Sequence, residues 1–317
     1  MDYRIIEGDC IKGMRRLEGQ SVNCVVTSPP YFGLRDYGHD GQIGLEASPD
    51  AFVAKLVEVF REVRRVLRDD GTVWLNLGDS YANEARNRTE QHATKASTLI
   101  GGKASQVASI VQPAKMGEGL KRKDLIGIPW RVAFALQADG WYLRQDIIWH
   151  KPNPMPESVR DRCTKAHEYI FLLSKSERYY FDSAAMQEPA VYDGPPRRAD
   201  SFMRKVATTP PPGQPSQHRE GRDDIAYTGT RNRRSVWTVA TKPYKGAHFA
   251  TFPPDLIRPC ILAGCPKEGT VLDPFGGSGT TALVALEEGR KAVLCELNAD
   301  YIALAHKRLE GLQLRIA

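Results

Sequence analysis

The chain has no long apolar run and no leader-like N terminus, and these two absences argue against a membrane protein. None of its segments reaches the roughly 20 consecutive apolar residues that a membrane-spanning helix needs. The first residues, Met1-Asp2-Tyr3-Arg4, do not lead into the apolar core of a signal peptide. We therefore expect a cytoplasmic protein with no membrane partner.

Cysteine is scarce and irregularly spaced, which argues against a disulfide framework and against a zinc site. The six cysteines form no Cys-x-x-Cys pair, and Cys24 and Cys295 lie in apolar segments. They are expected to be reduced core thiols. His39, His92 and His218 lie in polar stretches with no second ligand at a metal-like offset, so we expect them at the solvent surface and predict no metal ion.

Positive charge is concentrated in two segments of the chain. The formal net charge is +6. Residues 82–123 carry eight Lys or Arg against three acids, and residues 186–235 carry nine against six. Both segments are poor in periodic apolar residues and rich in Pro, Gly, Ser and Thr, which indicates long loops or insertions. Solvated linkers and surfaces for a polyanion are both compatible with this pattern.

Strands and helices alternate along the rest of the chain. With 317 residues, 41% of them hydrophobic, the chain can bury a large core. Apolar spacing predicts helices from Pro49 to Gly71 and from Pro129 to near Gly140. The expected strands are residues 3–6, 22–26, 72–77, 142–149, 169–173, 270–273 and 291–295. This alternation predicts an α/β fold with a doubly wound, mostly parallel sheet.

The pentapeptide Thr27-Ser28-Pro29-Pro30-Tyr31 follows directly on a predicted buried strand. An exocyclic amino nitrogen of a base is a poor nucleophile because its lone pair is delocalised into the ring. Ser28 Oγ and the Pro29 carbonyl can accept both of its hydrogens, and the two prolines hold these acceptors rigidly. Tyr31 offers a ring on which an extruded base can stack. A strand ending in an ordinary Pro-Pro turn is the alternative.

Residues 270–280, TVLDPFGGSGT, predict a buried strand, a glycine-rich turn and a helix. This context is typical of a loop that binds a nucleotide-like ligand. Asp273 places an anion at the strand tip, and Glu296 ends the next strand, where a carboxylate can bind ribose hydroxyls. An acidic tip suits a ligand with an ammonium and a sulfonium group, so we expect S-adenosylmethionine as the cofactor.

These motifs, in this order, resemble the permuted β class of amino-directed DNA methyltransferases, in which the target segment precedes the cofactor loop. Matching segments are Gly8-Asp9-Cys10, residues 248–253, residues 149–153 and residues 167–170. The resemblance implies that Ser28, Pro29, Pro30 and Tyr31 hold the base. It implies that the cofactor contacts are Asp9, Cys10, Thr27, Phe252, Asp273, Phe275, Gly276, Gly277, Ser278, Gly279, Thr280 and Glu296.

The resemblance also implies a domain organisation and a DNA surface. Residues 1–181 and 246–317 would form the catalytic and cofactor-binding domain, with a basic insertion at 82–123. Residues 182–245 would be the target-recognition region. Beside an enzyme that binds double-stranded DNA, the basic segments are interpreted as DNA-facing. The expected DNA contacts are Arg197, Arg198, Arg231, Arg233, Arg234, Lys121, Arg122 and Lys123. A homodimer is expected, and a companion restriction nuclease stays open.

The target base is a choice between two amines. TSPPY favours cytosine N4 within the family, whereas the longer string through residues 32–38 resembles solitary adenine N6 enzymes. We expect adenine, with cytosine as the alternative. An RNA or protein amino-methyltransferase, or a DNA-binding regulator without catalysis, would be other readings. Cys260 follows Pro259, as a ring-carbon nucleophile would, but its apolar neighbours favour packing. Asp79 is expected to cap a turn.

Overall fold

The structure, a computed structural model, describes residues 2–34, 36, 38–82, 119–190, 229–241 and 252–316. Several predictions fall outside these described residues. They concern Arg197, Arg198, His92, His218, residues 248–251 and residues 83–118 of the basic insertion.

The described residues form an α/β fold, as the alternating pattern predicted. The strands are β1 (Tyr3–Glu7), β2 (Val22–Thr27), β3 (Leu67–Leu77), β4 (Tyr142–His150), β5 (His167–Ser174), β6 (Gln187–Pro189), β7 (Thr230–Asn232), β8 (Val236–Thr238), β9 (Thr270–Asp273) and β10 (Lys291–Glu296). The helices are α1 (Cys10–Met14), α2 (Pro49–Val66), α3 (Ile128–Ala138), α4 (Pro254–Gly264), α5 (Thr280–Glu287) and α6 (Ala299–Ile316).

Eight strands form one mostly parallel sheet in the order β1-β10-β9-β2-β3-β5-β4-β8. Only β5 runs against its neighbours β3 and β4. Strand order reverses between β9 and β2, because β10 lies on one side of this pair and β3 on the other. In open α/β sheets a crevice forms at such a switch point, outside the carboxyl ends of the strands. The topology therefore places a ligand cleft beyond Thr27 and Asp273.

Helix α2 shows how the sequence directs local structure. Ser48 Oγ accepts from Ala51 N at 3.2 Å, and Pro49 occupies the first turn, where its missing N–H costs nothing. The apolar face from Phe52 to Val66 is buried. The apolar pattern predicts an end at Gly71, but the helix ends at Val66. Leu67 is already extended there and pairs with Val22 of β2.

Helix α4 packs closely on the sheet and buries Cys260. Its side chain is 1% exposed, and its sulfur lies 3.8 Å from the Leu256 carbonyl one turn earlier. It therefore has the packing role that its apolar neighbours predicted. At the end of α4, a Cβ on Gly264 would lie 2.5 Å from Thr72 Oγ1 of β3. Glycine is needed there because the helix approaches the strand so closely.

The chain divides into two compact units, 1–182 with 235–317 and 183–234. The larger unit contains the eight-stranded sheet. The smaller unit contains the antiparallel pair of β6 and β7, in which Glu188 lies opposite Arg231. The structure places residues 235–241, which we had assigned to the recognition region, in the larger unit, where β8 pairs with β4. No helix of the described residues is long and apolar enough to cross a membrane.

Asp79 caps helix α3 from a distant part of the chain. Helix α3 begins after Gly127, which has no side chain to cap it. Asp79 Oδ1 accepts instead from Gly127 N at 3.0 Å, Ile128 N at 3.1 Å and Ser80 N at 3.0 Å. The carboxylate thus satisfies first-turn N–H groups, which have no partner inside a helix.

We predict that Asp79→Ala lowers the free energy of unfolding by about 1–2 kcal/mol, because the α3 N–H groups lose their acceptor. Asp79→Asn should lose less, since its amide oxygen still accepts. Urea denaturation measures both. The exposed Asp146 of β4 provides the control, and Asp146→Ala should change stability by less than about 0.5 kcal/mol. Equal midpoints for Asp79→Ala and the wild type would contradict the capping role.

Candidate active site

A cleft lies at the carboxyl ends of the parallel strands, at the switch point of the sheet. It brings together the two segments that the sequence singled out, although about 240 residues separate them. Its lining residues are Gly8, Asp9, Cys10, Ser28, Pro29, Pro30, Tyr31, Leu34, His39, Gly41, Gln42, Ile43, Phe252, Asp273, Pro274, Phe275, Gly276, Gly277, Ser278, Thr280, Thr281, Cys295, Glu296, Leu297, Asn298 and Tyr301.

Asp273 accepts three hydrogen bonds in the cleft. Its side chain is 2% exposed, and Oδ1 accepts from Thr27 Oγ1 at 2.6 Å and from Phe275 N at 3.0 Å. Oδ2 accepts from Thr281 Oγ1 at 2.7 Å. Burial raises the pKa of this carboxyl to about 6, against the opposing effect of these hydrogen bonds. The residue therefore titrates close to neutral pH.

Glu296 is the second carboxylate and lies at the tip of β10. Its Oε2 accepts from Gly277 N at 2.7 Å, and its Oε1 accepts from Asn298 N at 2.9 Å. Burial raises the pKa of this group as well. Each carboxylate oxygen can accept a further bond, so these contacts leave capacity for a ligand hydroxyl. Asp9, the third carboxylate, caps α1 by accepting from Lys12 N at 2.9 Å.

The glycine loop brings its backbone against the end of β10. Gly276 N donates to the Cys295 carbonyl at 2.8 Å, and a Cβ on Gly276 would lie 2.8 Å from the Leu294 side chain. Gly277 has a φ of 51°, in the left-handed region that favours glycine. A side chain at Gly276 would therefore push the loop away from the strand on which the cleft is built.

The charge of the cleft indicates the kind of ligand that it fits. Among the described residues that line it are three carboxylates and neither lysine nor arginine. Three carboxylates repel a pyrophosphate, whereas they attract an ammonium or sulfonium group. Aromatic side chains of Phe252, Phe275 and Tyr301 supply apolar surface for a ring system. This donor set fits S-adenosylmethionine.

Two predicted cofactor contacts support the cleft without lining it. Thr27 is fully buried, and its hydroxyl is directed to Asp273. Gly279 caps the start of α5, where a Cβ would lie 3.0 Å from Ala305 of α6. The other predicted cofactor residues all line the cleft. The four predicted base contacts, Ser28 to Tyr31, line it too.

Sequence reasoning missed several lining residues. His39, expected at the solvent surface, is half-buried and lines the cleft. Gln42, Asn298 and Tyr301 were not singled out. The signal available for Asn298 and Tyr301 was their position just after Glu296, since residues that follow a parallel strand lie beside its tip.

Tyr31 connects the cleft to a second polar cluster. Its hydroxyl donates to Glu168 Oε2 at 2.6 Å. Glu168 lies near the start of β5. Its other oxygen, Oε1, is paired with Nζ of Lys151, which follows β4. The Lys151 ammonium also lies 4.2 Å from the centre of the Trp149 ring. The resemblance had marked both segments without giving these residues a role.

The described basic residues of the two charged segments lie at the surface. Lys121 is 83% exposed and lies 3.8 Å from Asp124, Arg122 is exposed, and Lys123 pairs with Asp161.

In the smaller unit, Arg231 Nε and Arg234 Nε both donate to Glu188 Oε1, at 2.9 and 2.8 Å. The Arg234 side chain is 69% exposed, whereas that of Arg231 is 34% exposed. Arg233 lies between them, and its backbone N–H donates to the Met186 carbonyl at 2.8 Å. Arg234 is thus better placed than Arg231 to reach a partner.

Comparison with known proteins connects this site to one family. The model of the N6/N4 methyltransferase family, described as DNA methylase, matches residues 22–307. Type II methyltransferase M.Cfr9I of Citrobacter freundii is 50% identical over 307 residues, which cover 97% of this chain and 87% of that protein.

Solved structures share the fold. One described as PVUII DNA methyltransferase (cytosine-N4-specific) has a TM-score of 0.62 at 18% identity and covers 97% of this chain and 86% of its own. The M1.HpyAVI–SAM complex has a TM-score of 0.53 at 16% identity, with 97% and 98% covered.

We predict that the affinity for S-adenosylmethionine rises as pH increases through about 6 and then levels off. A cation bound near Asp273 favours the ionised carboxylate, so binding releases a proton as long as the pKa of the free group, about 6, exceeds the pH. Asp273→Asn should weaken binding at neutral pH and flatten this dependence. Calorimetric titration between about pH 5 and 8 measures it.

The fold should tolerate Asp273→Asn. Its amide oxygen can still accept from Thr27 and Phe275, and its NH₂ group can donate to the Thr281 hydroxyl, which also lies 3.4 Å from the Val26 carbonyl. The exposed Asp300 of α6 provides a matched control, Asp300→Asn, that should bind like the wild type. A folded Asp273→Asn variant with unchanged affinity and pH dependence would show that this carboxylate does not hold the cofactor.

Proposed function

Because the chain belongs to the DNA methylase family of N6/N4 methyltransferases, we propose that it methylates the exocyclic amino group of a base flipped out of double-stranded DNA. The cofactor is S-adenosylmethionine, which supplies an activated methyl group when bound. The order of the motifs supports the permuted β class. The observation that carries the proposal is that Ser28 to Tyr31 and the acidic glycine loop line one cleft.

The two ends of the cleft have separate tasks in this proposal. Asp273, Glu296 and Asp9 hold the cofactor through its cationic groups and hydroxyls. Ser28 Oγ and the Pro29 carbonyl accept the amino hydrogens of the base, which draws the nitrogen toward tetrahedral geometry and exposes its lone pair. Holding donor and acceptor in line converts a bimolecular reaction into an effectively unimolecular one.

The described residues supply position and electrostatics for this transfer. Ser28 is half-buried and Pro29 is buried, so both acceptors lie in a site with restricted access to water. Proline at 29 and 30 limits backbone motion around these acceptors. The family's acceptor is an amine whose hydrogens these two groups can bind, which is why no covalent attack by Cys260 is required: that thiol is buried in α4.

Two observations favour cytosine over the adenine that we expected from residues 32–38. TSPPY leans to cytosine within the family that the chain resembles. One solved structure with this fold is described as cytosine-N4-specific. We place N4-cytosine first and keep N6-adenine as the second candidate. Both amines offer two N–H donors to Ser28 and Pro29, so pocket width and the partners of the ring nitrogens must separate them.

The remaining partners are part of the same proposal. The relatives carry Type II names, which supports a companion restriction nuclease that recognises the same DNA sequence. The basic segments, including Lys121, Arg122 and Lys123, would contact DNA phosphates. The homodimer implied by the resemblance stays a prediction that sedimentation analysis can check. Residues 182–245 remain our proposal for the target-recognition region.

We predict that double-stranded DNA incubated with the protein and S-adenosylmethionine gains a methyl group on an exocyclic amine. Nucleoside mass spectrometry distinguishes N4-methylcytosine, our first candidate, from N6-methyladenine. Ser28→Ala should lower kcat by roughly 100-fold, because one acceptor of the amino hydrogens is lost. RNA and protein added as competitors should not be methylated.

Each product other than N4-methylcytosine would lead to a different conclusion. N6-methyladenine would make adenine the target base in place of cytosine and would agree with methylation of an amino group. A 5-methylcytosine product would contradict amino transfer altogether, and methylated RNA or protein would replace DNA as the substrate. No methylation by a folded protein that binds the cofactor would favour a catalytically inactive DNA-binding regulator. Ser21→Ala provides a matched control, since Ser21 lies before β2, at the opposite end of that strand from Ser28.

We predict that Arg234→Ala weakens binding to all DNA or relaxes the choice of site, because its side chain is exposed beside its Glu188 partner. If Arg234 contacts a phosphate, its loss should also reduce the salt dependence of binding by about one charge. Binding titrations at several salt concentrations measure this. Arg68→Ala is the control, since Arg68 lies at the amino end of β3, away from the cleft. Identical affinity, salt slope and site choice would exclude Arg234 as a DNA contact.

A further inference from the structure

Three residues outside the predicted site surround the hydroxyl end of Tyr31. Glu168 Oε2 accepts from the Tyr31 hydroxyl at 2.6 Å and from Asn76 Nδ2 at 3.2 Å. Asn76 Nδ2 also donates to the Tyr169 carbonyl at 3.1 Å, which fixes the amide on the sheet. The other Glu168 oxygen pairs with Lys151 Nζ. All polar atoms of the Glu168 carboxylate therefore have partners.

This cluster is largely withdrawn from water. The Glu168 side chain is 13% exposed and that of Lys151 is 18% exposed, and Asn76 is 4% exposed. Charge-assisted bonds in such surroundings are stronger and more directional than at the surface. Removing one member leaves a poorly solvated group without its partner. The cluster is therefore suited to hold one tyrosine geometry.

A glycine limits the ring of Tyr31 from another direction. A Cβ on Gly78, just after β3, would lie 2.5 Å from Tyr31 Cε2 and 3.1 Å from Cδ2 and Cζ. Real Cβ atoms do not approach a ring so closely. The ring would have to move if any side chain stood at this position, because Gly78 follows directly on a strand with little freedom to shift.

We propose that Glu168, Asn76 and Gly78 are positioning residues for Tyr31, and that Lys151 holds Glu168 in the orientation that receives the tyrosine hydroxyl. The hydroxyl donates its hydrogen to Glu168, which leaves the ring of Tyr31 as the surface that meets the target base. The position of the Tyr31 ring against the flipped base is then set by residues at the ends of β3, β4 and β5, namely Asn76, Gly78, Lys151 and Glu168. This inference rests on the proposed function and adds the residues that shape its base pocket.

Methyl transfer to an amine requires the Tyr31 ring to be held in one position. The amine must lie in line with the methyl group, and a displacement of about 1 Å can cost roughly 100-fold in rate. If the stacking ring rotated freely about its side-chain torsions, the amine would not stay in line with the methyl group. Tying the far end of the ring to a carboxylate on β5, while Gly78 lets it pack closely on β3, holds the base in one plane.

The test is a double-mutant cycle between Tyr31→Phe and Glu168→Leu, each of which removes one partner of the hydrogen bond between the two side chains. Each single variant should lower kcat by roughly 10- to 100-fold, and the double variant should be no slower than the slower single variant, because both remove one contact. The affinity for S-adenosylmethionine should stay within about twofold of the wild type. A general structural defect would weaken cofactor binding as well.

Two further variants test the cluster by other means. Gly78→Ala should lower kcat with little change in cofactor affinity, because its Cβ displaces the ring and not the glycine loop. Lys151→Arg should keep much of the activity that Lys151→Met loses, since a cation still faces Glu168. Tyr142→Phe with Glu177→Leu, both exposed and outside the cluster, should behave as the wild type.

The outcomes separate the inference from the function on which it rests. An active wild-type enzyme in which the Tyr31 and Glu168 effects multiply would overturn the positioning role alone, as would full activity of a folded Gly78→Ala variant. A wild-type protein that binds cofactor but methylates no DNA would overturn the proposed function, and the positioning role with it. Equal loss of activity and cofactor affinity in the cycle would show a merely structural role.

Discussion

The carboxylate of Asp273 joins the tips of two parallel strands to the helix that follows the glycine loop. It accepts from Thr27 on β2, from Phe275 in the loop and from Thr281 on α5. Burying this anion costs free energy that only complete hydrogen bonding offsets. Because β2 continues directly into Ser28, the carboxylate that we propose for the cofactor also fixes the strand end that leads to the proposed base acceptor.

The cleft separates its two tasks by charge. Its cofactor end gathers carboxylates whose pKa values burial raises, so a cationic ligand relieves an unfavourable concentration of negative charge. Outside the cleft lining, behind Tyr31, the Glu168 charge is neutralised by Lys151 and directed to the Tyr31 hydroxyl. In our proposal the lining carboxylates attract a ligand, whereas Glu168 orders a side chain. Helix dipoles and basic partners, which a phosphate site would use, are not needed here.

Several outcomes show where local patterning gives way to packing. Helix α2 ends at Val66 because Leu67 finds a strand partner in β2, although its apolar spacing would allow another turn. His39 was expected in solvent, since a polar stretch surrounds it, but chain folding returns it to the cleft. Thr27 and Gly279, which the resemblance assigns to the cofactor, also have packing partners: Thr27 bonds Asp273, and Gly279 lies close to Ala305. Asp79 was correctly predicted as a cap, but its helix lies nearly 50 residues away.

The sequence by itself determined the alternation of strands and helices, the turn at Pro29-Pro30 and the glycine loop after Asp273, because each depends on backbone preferences and apolar spacing over a few neighbouring residues. It could also place carboxylates at strand tips, since a parallel sheet brings those tips to one edge. Only the tertiary structure decided that Tyr31 meets Glu168, at a sequence separation of 137, and that the ring packs against Gly78. Such contacts depend on strand order and on an antiparallel β5, and no local pattern in the chain encodes either.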